Sequence, residues 1–222
     1  SPTVNISDSV FYNNTSASGA VFAMGSAGGA KLSINHSVFA SNHALGSCGG
    51  VMELDGTGTY TTILDSLFKD NTAETFGGAI MLYYGNLHIS SSEFTGNTSG
   101  SSSSAGNGGA IWANNGSQVT ILSSIFNNNK VLSNNSGGAL YANSGVSMNI
   151  VDSSFTGNSA SSGGAISNYG TMNVVHSDFT NNTATSVGAY YGGGAIFNGD
   201  GGRMDVVGST FTGNKAYDGS AI

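Results

Sequence analysis

Charge is what this sequence lacks most. Only 8% of its 222 residues are charged, against roughly 25% in an average soluble domain. Five Lys and Arg stand against twelve Asp and Glu, for a net charge of −7. That balance leaves no basic patch to follow a phosphate backbone and argues against nucleic-acid binding. Cysteine occurs once, which excludes an intramolecular disulfide framework. Proline also occurs once, at Pro2. No run of 18 apolar residues is present, so no segment reads as a membrane-spanning helix. Strong helix formers are scarce while Gly supplies 35 residues. Each Gly costs about 1 kcal/mol in a helix interior, so a helical bundle is a poor fit. The chain starts at Ser1 without a charged-then-apolar leader, and so reads as a processed protein or a portion of one.

What fills the space is Gly, Ser, Thr and Asn: 54 residues are Ser or Thr and 25 are Asn. Such a composition invites a reading of disorder. Against it, 38% of the residues are hydrophobic and the net charge per residue is low, which is not the usual disordered signature. Periodicity decides the matter.

Ser-x-Phe, with Asn three places after the Phe, occurs eight times. The Phe column is Phe11, Phe39, Phe68, Phe94, Phe126, Phe155, Phe179 and Phe211. The Asn column is Asn14, Asn42, Asn71, Asn97, Asn129, Asn158, Asn182 and Asn214. Between copies stands Gly-Gly-Ala-Ile or a near variant, at 77–80, 108–111, 137–140, 163–166 and 193–196, with degenerate copies at 18–21, 49–52 and 219–222. A third element is an apolar pair two residues apart, as in Leu32/Ile34 and Val119/Ile121.

Each repeat therefore holds three short apolar runs separated by turn residues, and period-2 runs of that length read as strands. No helical period appears, which argues against a leucine-rich alternative. The spacing predicts an all-β fold, a parallel β-helix of about eight coils with three short strands per coil. Its length would be about 38 Å at roughly 4.8 Å per coil. Residues 1–222 form one solenoid domain on this reading. Stacking would place Phe on Phe inside. Asn would form a hydrogen-bonded ladder at a turn, itself tolerating left-handed backbone. The Ser column shares the Phe parity and is expected to face inward.

Gly-Gly-Ala-[Ile/Leu/Val] alternating with Phe-x-x-Asn resembles the repeats of chlamydial polymorphic outer-membrane proteins. The resemblance covers essentially the whole chain. It implies an autotransporter-passenger-like, right-handed parallel β-helix at the cell surface or outside the cell, with adhesion as the usual role.

Variable columns are where function could sit. The position after Gly-Gly-Ala-Ile reads Phe22, Glu53, Met81, Trp112, Tyr141, Ser167 and Phe197. It alternates with a uniformly apolar column and is expected to face outward. As an exposed aromatic stripe it could contact glycan or protein, or simply stabilise the sheet face by stacking. Tyr190 and Tyr191, in the long turn 183–192, are a second contact candidate. Asp8, His36 and Asp65 would form a row on adjacent coils, read as a solvated, mutually compensating stripe rather than a metal site. Among the Asn-x-Ser/Thr sequences, Asn115 and Asn134 lie in turns and are the better candidate glycosylation acceptors. No Ser-His-Asp or Cys-His pattern is visible, so no catalytic residue, metal or cofactor is expected, and a polysaccharide-active enzyme is the weakest reading. The leading expectation is a non-enzymatic extracellular structural solenoid. It would build a surface appendage, coat or filament by head-to-tail self-stacking, or form a segment of a longer solenoid. The alternative is an adhesin passenger segment binding glycans or other surface proteins through the aromatic stripe.

Overall fold

The computed structural model describes residues 2–25, 29–46, 48–101, 106–132, 134–187 and 192–222, and no helix occurs among them. They wind into a right-handed parallel β-helix of about seven turns. Each turn carries four strands rather than the expected three. The fourth coil shows the pattern: Asn86–Ser90, Glu93–Thr95, Thr98–Ser99 and Ile111–Asn114. The additional strand is the two-residue Thr98–Ser99, directly after the Asn ladder. Two residues are too few to display an alternation, so in sequence this strand is indistinguishable from a turn. The strands stack into four parallel sheets, two of eight strands and two of seven.

Register is in phase throughout. Phe68 pairs with Phe39 on one side and Phe94 on the other. Phe39, Phe68, Phe94, Phe126, Phe155 and Phe179 are completely buried. Their rings lie 4.6 to 5.0 Å apart and within 10° of parallel from Phe11 to Phe211. Free aromatic pairs prefer offset or edge-on contact. Here the interstrand spacing of about 4.8 Å holds every pair in a parallel stack at a centroid distance within the range such pairs prefer. Opposite it, Ile34, Ile63, Ile89, Ile121 and Ile150 line the first sheet, and Ile80, Ile111, Leu140, Ile166 and Ile196 line the fourth.

Two corners share one construction: a left-handed residue followed by an inward polar one. At the first corner the left-handed residues are Asp8, His36, Asp65, Ser91, Ser123, Asp152, His176 and Gly208. Asp and His tolerate that region better than most side chains. The next residue is the inward Ser. Ser66 N–H donates to Ser92 Oγ at 3.1 Å, and Ser66 Oγ–H donates to the Leu64 carbonyl at 2.6 Å. At the second corner the left-handed residue immediately precedes the ladder Asn, as at Asn128 with φ 52° before Asn129. The ladder Asn itself is not left-handed, which corrects the sequence expectation. Its task is different: Asn97 donates its backbone N–H and its Nδ2–H to Asn129 Oδ1, both at 3.0 Å. Its second Nδ2–H goes to the Phe68 carbonyl at 2.9 Å. Both amide protons and both oxygen lone pairs are thereby used, which is what full burial requires.

The third corner is Gly-Gly. Gly108 has φ +63°, where a Cβ would meet the Ile111 carbonyl oxygen at 2.2 Å, and a Cβ on Gly109 would lie 2.0 Å from the Gly138 carbonyl oxygen. The second clash is with the neighbouring coil, so Gly109 is required by stacking rather than by local conformation.

Asn129→Ala orphans the Asn97 amide groups and the Phe94 carbonyl that accepts from Asn129 Nδ2 at 2.8 Å. At about 1–3 kcal/mol per buried unsatisfied group, we expect a loss on the order of 4 kcal/mol, seen as a lower midpoint of urea unfolding. Thr61 stands in an otherwise apolar interior column between Leu32 and Leu87, with its hydroxyl buried and without a hydrogen-bond partner. Thr61→Val should therefore stabilise the fold by about 1 kcal/mol, raising the melting temperature by roughly 2–4 °C for a chain of this size.

Candidate functional site

The outer face of the fourth sheet carries the aromatic stripe. Register places Ala23, Glu53, Met81, Trp112, Tyr141, Ser167 and Phe197 in one column. Phe22 is not part of it. It pairs with Met52 in the inward column, and its ring sits 6.0 Å edge-on from Phe11. The cause is a one-residue offset in the degenerate first copy: Gly19, with φ 52°, holds the place of the first Gly, so Val21 and Phe22 stand where Val51 and Met52 stand one coil on. With a side-chain period of two, that offset moves Phe22 from the outer face to the core.

The stripe points out of the coil, yet its centre is covered. Trp112 is 6% exposed and Met81 is 8% exposed. Phe76, from the segment before Gly-Gly, folds over the sheet and stacks on Trp112 at 4.9 Å and 17°. Tyr83 flanks the indole at 5.9 Å. Cys48 and Met81 complete this second apolar cluster, with Cys48 Sγ 3.3 Å from Thr75 Oγ1. Further along, Tyr169 lies between Tyr141 at 5.5 Å and Phe197 at 6.0 Å. At the other end, the Ser18 hydroxyl donates to the Glu53 carboxylate. Sequence periodicity located the column but missed Phe76, Tyr83 and Tyr169. Phe76 directly precedes Gly-Gly, Tyr83 ends the fourth-sheet strand and Tyr169 follows it, and their only signal was being aromatic beside a Gly-rich corner.

The remaining sequence candidates are scattered. Tyr190 and Tyr191 lie outside the described residues. His36 and Asp65 approach to 3.9 Å, as do Asp152 and His176, all well exposed at the first left-handed corner. Among the described residues no group of three or more His, Cys, Asp or Glu side chains could hold a metal ion. Asn134 is exposed. Asn115 is half-buried at φ 50°, and the hydroxyl of its sequence partner Ser117 is buried and donates to the Asn114 carbonyl at 2.5 Å.

A family model for the Chlamydia polymorphic membrane protein repeat matches residues 65–82, 91–114, 123–143, 152–169 and 176–199. The chain carries Chlamydia polymorphic membrane protein repeats. Each matched unit begins at a left-handed corner residue (Asp65, Ser91, Ser123, Asp152 and His176) and runs through the fourth-sheet strand. The polymorphic membrane protein repeat is therefore the part of the coil holding both polar ladders, the Phe column and the Gly-Gly corner. The first-sheet strand lies between units. At the family level these repeats belong to surface-associated, outer-membrane β-helical proteins. Among the described residues no helix is long and apolar enough to cross a membrane. No curated protein and no solved structure matches the chain.

Burial, and secondarily the neighbouring Tyr169 phenol, push the Tyr141 phenol from 10.0 up to about 12. A raised acid favours its neutral form in the folded state, so this contribution is complete below pH 10 and is lost as pH rises through about 12. In a phenolate absorbance titration, Tyr141→Phe should remove a late-ionising tyrosine near pH 12 and flatten the fall in stability over that interval.

Proposed function

We propose that the chain is a non-enzymatic structural rod at the cell surface, extended by coil-on-coil stacking. The unbroken, one-directional Asn ladder supports this reading. At every step from Asn14 to Asn214, one Asn donates N–H and Nδ2–H to the Oδ1 of the next. A coil laid beyond Asn214 would accept through an Oδ1, and a coil laid before Asn14 would donate to its Oδ1. Among the described residues the outermost strands Thr3–Ser7 and Arg203–Val207 each pair on one side, and a parallel edge of this kind accepts a further coil. A head-to-tail contact of this type propagates rather than closes.

Negative-stain microscopy over a concentration series tests it. Rods of variable length are expected, reduced to single short particles by Val207→Lys, which places charge on the exposed edge. Particles of one length at every concentration would overturn the proposal.

Adhesion through the aromatic face is the second reading, supported by the half-exposed Tyr141 and Phe197. The covered Trp112 is a poor contact residue, so that reading rests on the rim of the stripe rather than its centre.

A further inference from the structure

The corner joining the fourth sheet to the first is notched at the third coil. Two residues, Tyr84 and Gly85, join Ile80–Tyr83 to Asn86–Ser90. Four residues make the same connection one coil before, between Asp55 and Tyr60, and three make it one coil after, between Asn114 and Gln118. The short connection between two longer ones leaves a recess of about 220 Å³. Its floor is Tyr84, Gly85 and Asn86, and its walls include Thr57, Asn115 and Gln118.

Three features of this recess point the same way. First, Tyr84 has φ +68°. A bulky aromatic residue in the left-handed region is strained, and strain of this kind concentrates at binding sites. The neighbouring connections place Gly58, Asn115 and Gly116 in that region, the residue types that accept it readily. Second, the recess is fastened. Gln118 N–H donates to the Gly85 carbonyl at 3.0 Å, and Asn86 N–H donates to the Thr59 carbonyl at 2.9 Å. A Cβ on Gly85 would lie 2.1 Å from Thr59 Oγ1, so the connection is pressed against its neighbour. The Tyr84 ring is braced edge-on by Tyr83 at 5.1 Å and remains 37% exposed. Third, the lining chemistry is specific. Thr57, Asn86, Asn115 and Gln118 offer hydroxyl and amide groups that both donate and accept, and none carries a charge. An aromatic face beside neutral two-way hydrogen-bonding groups complements a ligand with an apolar C–H face and several hydroxyls.

We propose that the Tyr84 recess binds a neutral pyranose residue of a glycan. The sugar's C–H face packs on the Tyr84 ring, and its hydroxyls bond to Asn86, Asn115 and Gln118. The net charge of −7 disfavours an anionic sugar, and the polar walls disfavour a purely apolar ligand. Binding here is lateral to the rod and independent of coil-on-coil stacking.

Saturation-transfer NMR with a panel of methyl glycosides (glucoside, galactoside, mannoside and N-acetylglucosaminide), with a sialoside as the charged comparison, tests the proposal. At least one neutral glycoside should receive saturation through its ring C–H protons. Tyr84→Gly should weaken that binding at least tenfold while leaving the melting temperature unchanged or higher, because Gly relieves the φ of +68°. Gln118→Ala, at an exposed position, should weaken binding and keeps the test decisive if the first variant is poorly folded. Tyr217→Ala, outside the recess, should bind as the parent does. Silence from every neutral glycoside, transfer to the sialoside alone, or undiminished binding in a folded Tyr84→Gly or Gln118→Ala variant would each overturn it. Rod length under the microscope is unaffected by any of these outcomes.

Discussion

Parallel strands stack about 4.8 Å apart, and the core column, the polar ladders and the low charge all depend on that distance. It falls within the centroid range of stacked aromatic pairs, so the same Phe on every coil keeps ring contact with its copies. It matches the reach of one amide to the next, so an Asn on every coil satisfies its neighbour. It is also short enough that like charges repeated at each level would repel. A chain built this way has little use for Lys, Arg, Asp or Glu except where a column is already broken. Where carboxylates do stand at the first corner, Asp65 and Asp152 each lie close to an imidazole of opposite potential charge one coil away.

The corners divide the labour. Two of them turn the chain with a left-handed residue and then spend the next residue on a buried polar ladder. The third relies on Gly-Gly, where the second glycine is demanded by the coil above rather than by its own backbone angles. The family repeat spans these three corners and omits both the first-sheet strand and the corner that leads into it from the fourth sheet. The recurring grammar of the unit is thus a grammar of turning and laddering, while the intervening strand needs only to alternate apolar and polar residues.

Departures from the repeat are where chemistry becomes local. Phe76 has no counterpart in the preceding coil, where Cys48 stands, and it closes over Trp112. The shortened connection at Tyr84–Gly85 opens a recess because its neighbours are longer. Neither feature changes the stack, since both lie outside the ladders that hold it.

Much of the fold was legible in sequence because a repeat states each structural requirement eight times. The Phe, Asn and Ser columns, the inward Ile column and the Gly-Gly corner all correspond to positions where one side chain must match its own copy across a fixed spacing. The two-residue third-sheet strand was not legible, because a period of two needs more than two residues to show. Phe22 was misplaced because a degenerate copy slides by one residue without penalty in sequence, while parity turns that slide into a change of face. The aromatic stripe was legible as a column and not as a surface. Whether Trp112 is exposed depends on Phe76, thirty-six residues earlier, at a place before Gly-Gly whose residue type changes from coil to coil. The repetitive stack is written in the chain itself, because identity between copies is a one-dimensional property. Exposure, coverage and the Tyr84 recess were decided only by tertiary structure, because they arise from differences in connection length between coils that only stacking makes neighbours.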